Sequence, residues 1–228
     1  MGRIKRVIRG LEDKLIDLPI SVPLPPKLRR RRQIIHLARF LVEKGFSSGN
    51  LNFWSLGLEV KLAPYQFYKE VEAPSKQYCD TLLKEFPAFL KELKMGLKSE
   101  PLPEGYFGDN YGVMFPIKIA TNKGAIEVYS AVYEPGLKQE EKIATVSHER
   151  GHIIWQLGLQ DKIYSKFTEP ELVKSKVPSE EHFASLCGWV GLINLGYIPE
   201  KVTLEAVDQE ADKRENEMRE LVVKYFKR

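Results

Sequence analysis

The sequence predicts an α+β fold: a small, mostly antiparallel sheet packed against helices, with a helical N-terminal region ahead of it. Three stretches carry that expectation. Residues 112–121 and 125–133 read as two strands joined by the hairpin turn Asn122-Lys123-Gly124. Residues 139–157 contain no Pro and a single Gly, and place Ile143, Val146, Ile153, Ile154 and Leu157 on an apolar side. Residues 183–198 carry no charge and follow Ser179, a favoured helix N-cap.

The 228 residues are 43% hydrophobic and 29% charged, as expected of one globular domain with an appendage at most. Two cysteines, Cys79 and Cys187, make no disulfide scaffold and point to a reducing interior. The N-terminus lacks the apolar core of a secretion signal, so the expected location is cytoplasmic. The longest uncharged apolar run is the 16 residues at 183–198, short of the roughly 20 that cross a bilayer. Residues 1–50 hold 12 Lys or Arg against 4 Asp or Glu, and the remainder holds 23 against 27. A basic head therefore precedes a mildly acidic body.

In chain order, Ile4, Val7, Ile8, Leu11 and Leu15 recur at helical spacing among basic residues. Such a helix docks on its own protein or lies on an anionic surface. Pro19, Pro23, Pro25 and Pro26 then form an extended linker, and Lys27-Leu-Arg-Arg-Arg-Arg32 is a run that can meet phosphates. Residues 3–32 are thus a candidate contact for nucleic acid or an anionic surface, beside the plainer reading of a docked helix and a solvated helix start. Residues 30–44 read as a helix, 56–62 as a short strand, and 75–95 as a helix kinked at Pro87. Residues 98–110 read as loop, and 203–226 as a charged helix. The expected organisation is a basic helix and linker at 1–32, a mainly helical subdomain at 33–110 and a catalytic-type domain at 111–228.

Chemistry concentrates in the helix at 139–157. His148, Glu149 and His152 spell H-E-x-x-H. Two imidazoles four residues apart share a helix face and can grip one tetrahedral ion, with the intervening carboxylate beside the open position. A metal there makes water acidic, and Glu149 can take its proton during attack on a carbonyl. The ligands suit Zn2+. A metzincin would place Gly and then His three and six residues after the second His, but Trp155 and Gly158 stand there. The remaining common third ligand is a Glu from a later helix, Glu180 or Glu181. Glu181 is preferred because Ala184, Ser185 and Gly188 on its side would allow close helix approach. Tyr164 and His182 are candidates to steady a transition-state oxyanion.

The segment Lys142-Ile-Ala-Thr-Val-Ser-His-Glu-Arg-Gly-His152, followed by Glu181-His-Phe-Ala184, resembles the gluzincin metallopeptidases. The nearest patterns are those of the compact ImmA/IrrE-type peptidases and the anthrax-lethal-factor-like group. The Asn that precedes Phe-Ala in the first is missing, and Lys174 stands where the second often has Tyr. The resemblance covers roughly residues 111–196 and implies a zincin-like fold, zinc as cofactor and a peptide or protein substrate. Two rival expectations remain open. One is a regulatory zincin with a basic nucleic-acid-binding head, and the other is a zinc-holding scaffold without catalysis.

Overall fold

The computed structural model describes residues 14, 17–18, 22–72, 86, 88–99, 111–121, 124–198 and 213–227. Nearly all of the expected helix at 3–16, most of that at 75–95 and the first part of that at 203–226 lie outside them, as do the Asn122-Lys123 turn and nearly all of the expected loop at 98–110. The described elements are α1 (Pro26–Glu43), β1 (Asn50–Phe53), a 3-10 turn (Trp54–Leu56), β2 (Leu58–Lys61), β3 (Gln66–Glu72), β4 (Gly96–Ser99), β5 (Gly112–Thr121), β6 (Gly124–Tyr133), α2 (Gln139–Gln156), α3 (Asp161–Tyr164), α4 (Pro170–Ser175), α5 (Glu180–Asn194) and α6 (Lys213–Tyr225). The architecture is mixed helix and sheet.

The hairpin forms along its whole length, from Gly112 opposite Tyr133 to Thr121 opposite Gly124. β6 alternates with period two. Ile126, Val128 and Val132 enter one core with Leu37 and Leu41 of α1, while Tyr129 and Ala131 enter another with Ile153, Ile154 and Phe183 of α2 and α5. The sheet is therefore covered on both faces.

The four-stranded sheet runs β3-β6-β5-β4. β3 pairs with β6 in parallel and β4 pairs with β5 antiparallel. Strands on both sides of residue 111 therefore share one sheet, so β3 and β4 from the segment 33–110 pair with the hairpin of 111–228. The strand expected at 56–62 is present as β2, whereas β3, Gln66-Phe-Tyr-Lys-Glu-Val-Glu72, escapes pattern reading because it carries three charges and finds its partner strand some sixty residues later. β4 corrects the loop expected from residue 98. α1 also starts earlier than expected, with Pro26 in its first turn, where the missing N–H costs nothing. The basic run lies inside this helix, and Arg32 is buried with 3% of its surface exposed. Among the described residues no helix is long and apolar enough to cross a membrane.

One face of α2 is pinned to β3 through Arg150. Its Nε and a terminal nitrogen donate to Glu70 Oε2 at 3.0 and 2.9 Å. Its other terminal nitrogen donates to Ser55 Oγ at 2.6 Å, and Ser55 Oγ in turn meets Ser147 Oγ at 2.8 Å. The guanidinium lies 5.1 Å from the ring centre of Phe53. The Tyr68 phenol donates to the same Glu70 oxygen at 2.7 Å, and burial together with that carboxylate holds its pKa well above the usual value. Glu70→Ala would leave the buried Arg150 cation without its partner. The expected loss of stability in denaturant titration is about 3–5 kcal/mol.

The other face of α2 crosses α5 at very short range. A Cβ placed on Gly151 would lie 2.7 Å from Ala184 Cα, and one on Gly191 would lie 2.3 Å from Ser147 Oγ. Small residues on both helices thus set the separation. A Cβ on Gly188 would meet the Ala144 carbonyl at 3.2 Å, a milder conflict. Gly151→Ala is expected to destabilise by about 1–3 kcal/mol through overpacking, and Gly188→Ala by less. The opposite order of unfolding midpoints would show that the helices are free to shift at Gly151.

Candidate metal centre

α2 supplies His148, Glu149 and His152 on the side that faces a cleft of about 690 Å³. The first turn of α5 supplies Glu180 and Glu181. Ser179 caps that helix, its Oγ accepting the His182 backbone N–H at 3.4 Å and lying 2.6 Å from His182 Nδ1. The expected cap therefore aims both carboxylates, and the small residues of the crossing bring them onto the imidazoles.

Three ligand-type side chains converge. His148 Nε2 and His152 Nε2 are 3.2 Å apart. Glu181 Oε1 lies 3.1 Å from the first, and Glu181 Oε2 lies 3.5 Å from the second. Zinc bonds of about 2.0–2.2 Å put tetrahedral ligand atoms about 3.3–3.6 Å apart, and the spacings between the imidazole nitrogens and the two carboxylate oxygens are of that size. Among the described residues His148, His152 and Glu181 form a group that could hold a metal ion.

Glu180 has a different place. Its Oε1 lies 3.1 Å from His152 Nδ1, and Gln156 Nε2 donates to both its oxygens at 3.2 Å. A carboxylate receiving these donors fixes the proton of His152 on Nδ1 and leaves the lone pair of Nε2 facing His148 and Glu181. That is the outer-sphere arrangement that orients a ligand imidazole.

The electrostatics are mutually dependent. Burial works to lower the His148 pKa, but the Glu181 hydrogen bond and the charges of Glu149, Glu181 and Glu215 outweigh it and raise it. Burial and the neighbouring His148 lower that of His152 against the pull of Glu181 and Glu180. The hydrogen bond from His148 holds Glu181 below the usual carboxylate range, against the effect of burial. Glu149 is 5% exposed, and its Oε2 has no hydrogen-bond partner. Burial pushes its pKa up to about 7, although the His148 charge and the backbone N–H of Met114 oppose this. Gly112 lets β5 come this close, since a Cβ there would lie 2.5 Å from Thr145 Cγ2 and 3.1 Å from Glu149 Oε1.

Neither proposed oxyanion group is brought into the cleft. Tyr164 is buried against Phe183, with ring centres 5.6 Å apart, and burial raises its pKa to about 12. It sits in the core because α3 packs its apolar side inward. His182 turns back to Ser179, and neither residue lines the cleft. Sequence reasoning missed Tyr111, Gly112 and Met114 at the start of β5, Trp189 on α5 and Glu215 on α6, all of which line it. The start of a strand and an acidic residue in a charged helix give no signal that separates them from their neighbours.

Comparison of the chain with protein-family models, with curated proteins and with solved structures finds no match.

The two acidic residues of α5 differ in what their loss should do. Glu181→Ala removes a donor atom and is expected to weaken zinc binding strongly in chelator competition. Glu180→Ala removes only the group that orients His152, for which a loss of about 10- to 100-fold is expected. A larger loss at Glu180 than at Glu181 would exchange the two roles.

Proposed function

We propose that this protein is a zinc-dependent peptidase of the gluzincin type. The observation that carries the reading is the convergence of His148 Nε2, His152 Nε2 and the Glu181 carboxylate beside Glu149, whose buried Oε2 has no partner. The donor set of two imidazoles and one carboxylate leaves a tetrahedral ion one open position, as catalytic zinc sites do and filled structural sites do not. This favours an enzyme over a zinc-holding scaffold.

Zinc in this position would polarise a substrate carbonyl and lower the pKa of water. The chain's own residues supply the rest. Glu149, with a pKa raised to about 7, is close to balanced between accepting and donating a proton near neutral pH. In a peptidase it takes a proton from the attacking water and passes it to the leaving amine, which departs as the peptide bond breaks. Glu180 and Gln156 keep the His152 ring in one orientation throughout.

Substrate positioning has a candidate in β5. β4 pairs only with Ile117–Ala120, so the same edge of residues 112–116 has no partner among the described residues. Pro116 stands just beyond the last pair, where a strand edge tolerates it. Tyr111, Gly112, Val113, Met114 and Pro116 line the cleft. An extended peptide laid along this edge would add a strand and pass over the metal-ligating group.

The deciding experiment is Glu149→Gln. The variant is expected to keep its fold and zinc while kcat/KM on a peptide library, read by mass spectrometry, falls about a hundredfold to ten-thousandfold. Cleavage that survives the substitution unchanged would remove Glu149 from the reaction, and a wild type that holds zinc and cleaves nothing would return the scaffold reading.

A further inference from the structure

One carboxylate of the cleft has no task in the reaction just described. Among the described residues, the charged side chains that line the cleft, histidines apart, are Glu149, Glu180, Glu181 and Glu215, with no Lys or Arg. Glu181 faces both imidazole Nε2 atoms, Glu180 is held by His152 and Gln156, and Glu149 receives the Met114 N–H. Glu215 comes from α6, is exposed, and makes no hydrogen bond or ion pair among the described residues. It is near enough for its charge to act on His148.

The usual neutralising partner is present and turned elsewhere. Arg219 stands four residues on from Glu215, the spacing of a helical ion pair. Its guanidinium instead lies 5.3 Å from the centre of the Trp189 ring, and Trp189 also lines the cleft. The cleft thus combines an unneutralised carboxylate with apolar wall from Trp189 and Leu192. Lys and Arg have matching parts, a methylene stem that covers apolar surface and a charged head that stays at a polar rim. A second, independent feature marks the same cleft as built for a ligand, namely the partnerless Oε2 of the buried Glu149.

Resting on the peptidase reading of this site, we propose that the cleft selects peptides carrying a Lys or Arg side chain close to the bond to be cut, and that Glu215 is the residue that selects it. Among the described residues, each other carboxylate that lines the cleft has a partner of its own, so the preference depends on this one. The basic head of the chain cannot produce such a preference, because it repels cationic peptides.

The test separates this selection from hydrolysis by measuring binding. Full-length, zinc-loaded Glu149→Gln protein is titrated with fluorescein-labelled hexapeptides that differ only in a central Lys, Gln or Glu. The expected affinity order is Lys, then Gln, then Glu. Adding Glu215→Gln should lower the Lys-to-Gln affinity ratio about twofold to fivefold, the upper part of the range for one exposed ion pair, and Glu215→Lys should reverse the order. Glu217→Gln, exposed on the same helix but away from the cleft, should leave the ratio as it is. Equal binding of the three peptides, absence of binding, or a ratio that Glu215→Gln does not move would overturn the proposal, even where the wild type proves to be a peptidase. Glu215-dependent preference for Lys in a protein whose wild type cleaves no peptide would uphold the selection and remove the catalytic reading instead.

Discussion

Everything at the candidate centre depends on how closely α2 and α5 pack. A helix pair separated by ordinary side chains sits 8–10 Å apart, and a Glu side chain on one then meets the other's surface only at its tip. Here Ala144, Ser147 and Gly151 on α2 meet Ala184, Gly188 and Gly191 on α5, and backbone approaches backbone. That proximity places Glu181 against two imidazoles and Glu180 behind one of them. It also dries the interface, since Ile153, Ile154, Phe183 and Cys187 fill a single core around it.

α2 is held on two sides for different reasons. Toward α5 the contact is steric and apolar. Toward β3 it is electrostatic, through Arg150 and Glu70, with Ser55 and Ser147 joining the network from the 3-10 turn and the helix itself. The residue between the two halves of the H-E-x-x-H motif is therefore no spacer. Arg150 fixes the rotation of the helix, and that rotation decides whether Glu149 lies under β5 or swings into water. Burial under β5 raises the Glu149 pKa against the pull of the Met114 N–H, so the sheet acts on this group directly and the Arg150–Glu70 pair acts on it through the helix.

The sequence was legible where a pattern is local. The helix carrying His148 and His152 ends with Leu157 and the left-handed Gly158, close to the expected bounds. Ser179 caps α5 as its position suggests, and the small residues following Glu181 indicate close approach without any knowledge of the fold. The hairpin of β5 and β6 is likewise a short-range signal. What escaped is non-local. β3 has charges at Lys69, Glu70 and Glu72, and only its long-range partners, β6 and Arg150, make those residues intelligible. Tyr164 looks like a polar group near the motif, yet its hydroxyl belongs to a side chain that α3 turns into the core. Glu215 reaches the cleft only because α6 folds back over α5.

The electrostatic arrangement has a consequence for the fold itself. Glu149, Glu180, Glu181 and Glu215 line one cleft beside two imidazoles whose pKa values are driven in opposite directions. Like charges gathered at a low-dielectric surface repel, and burial adds a penalty for each one that stays ionised. Protons relieve part of this at Glu149 and His148. A divalent cation among the three ligand-type side chains would relieve more, since one charge centre offsets several carboxylates at once. Such an ion binds only the folded arrangement, so any affinity it has adds to the stability of the α2–α5 contact that creates the site. Tight small-residue packing supplies what the cation cannot: it holds His148, His152 and Glu181 together before any ion arrives.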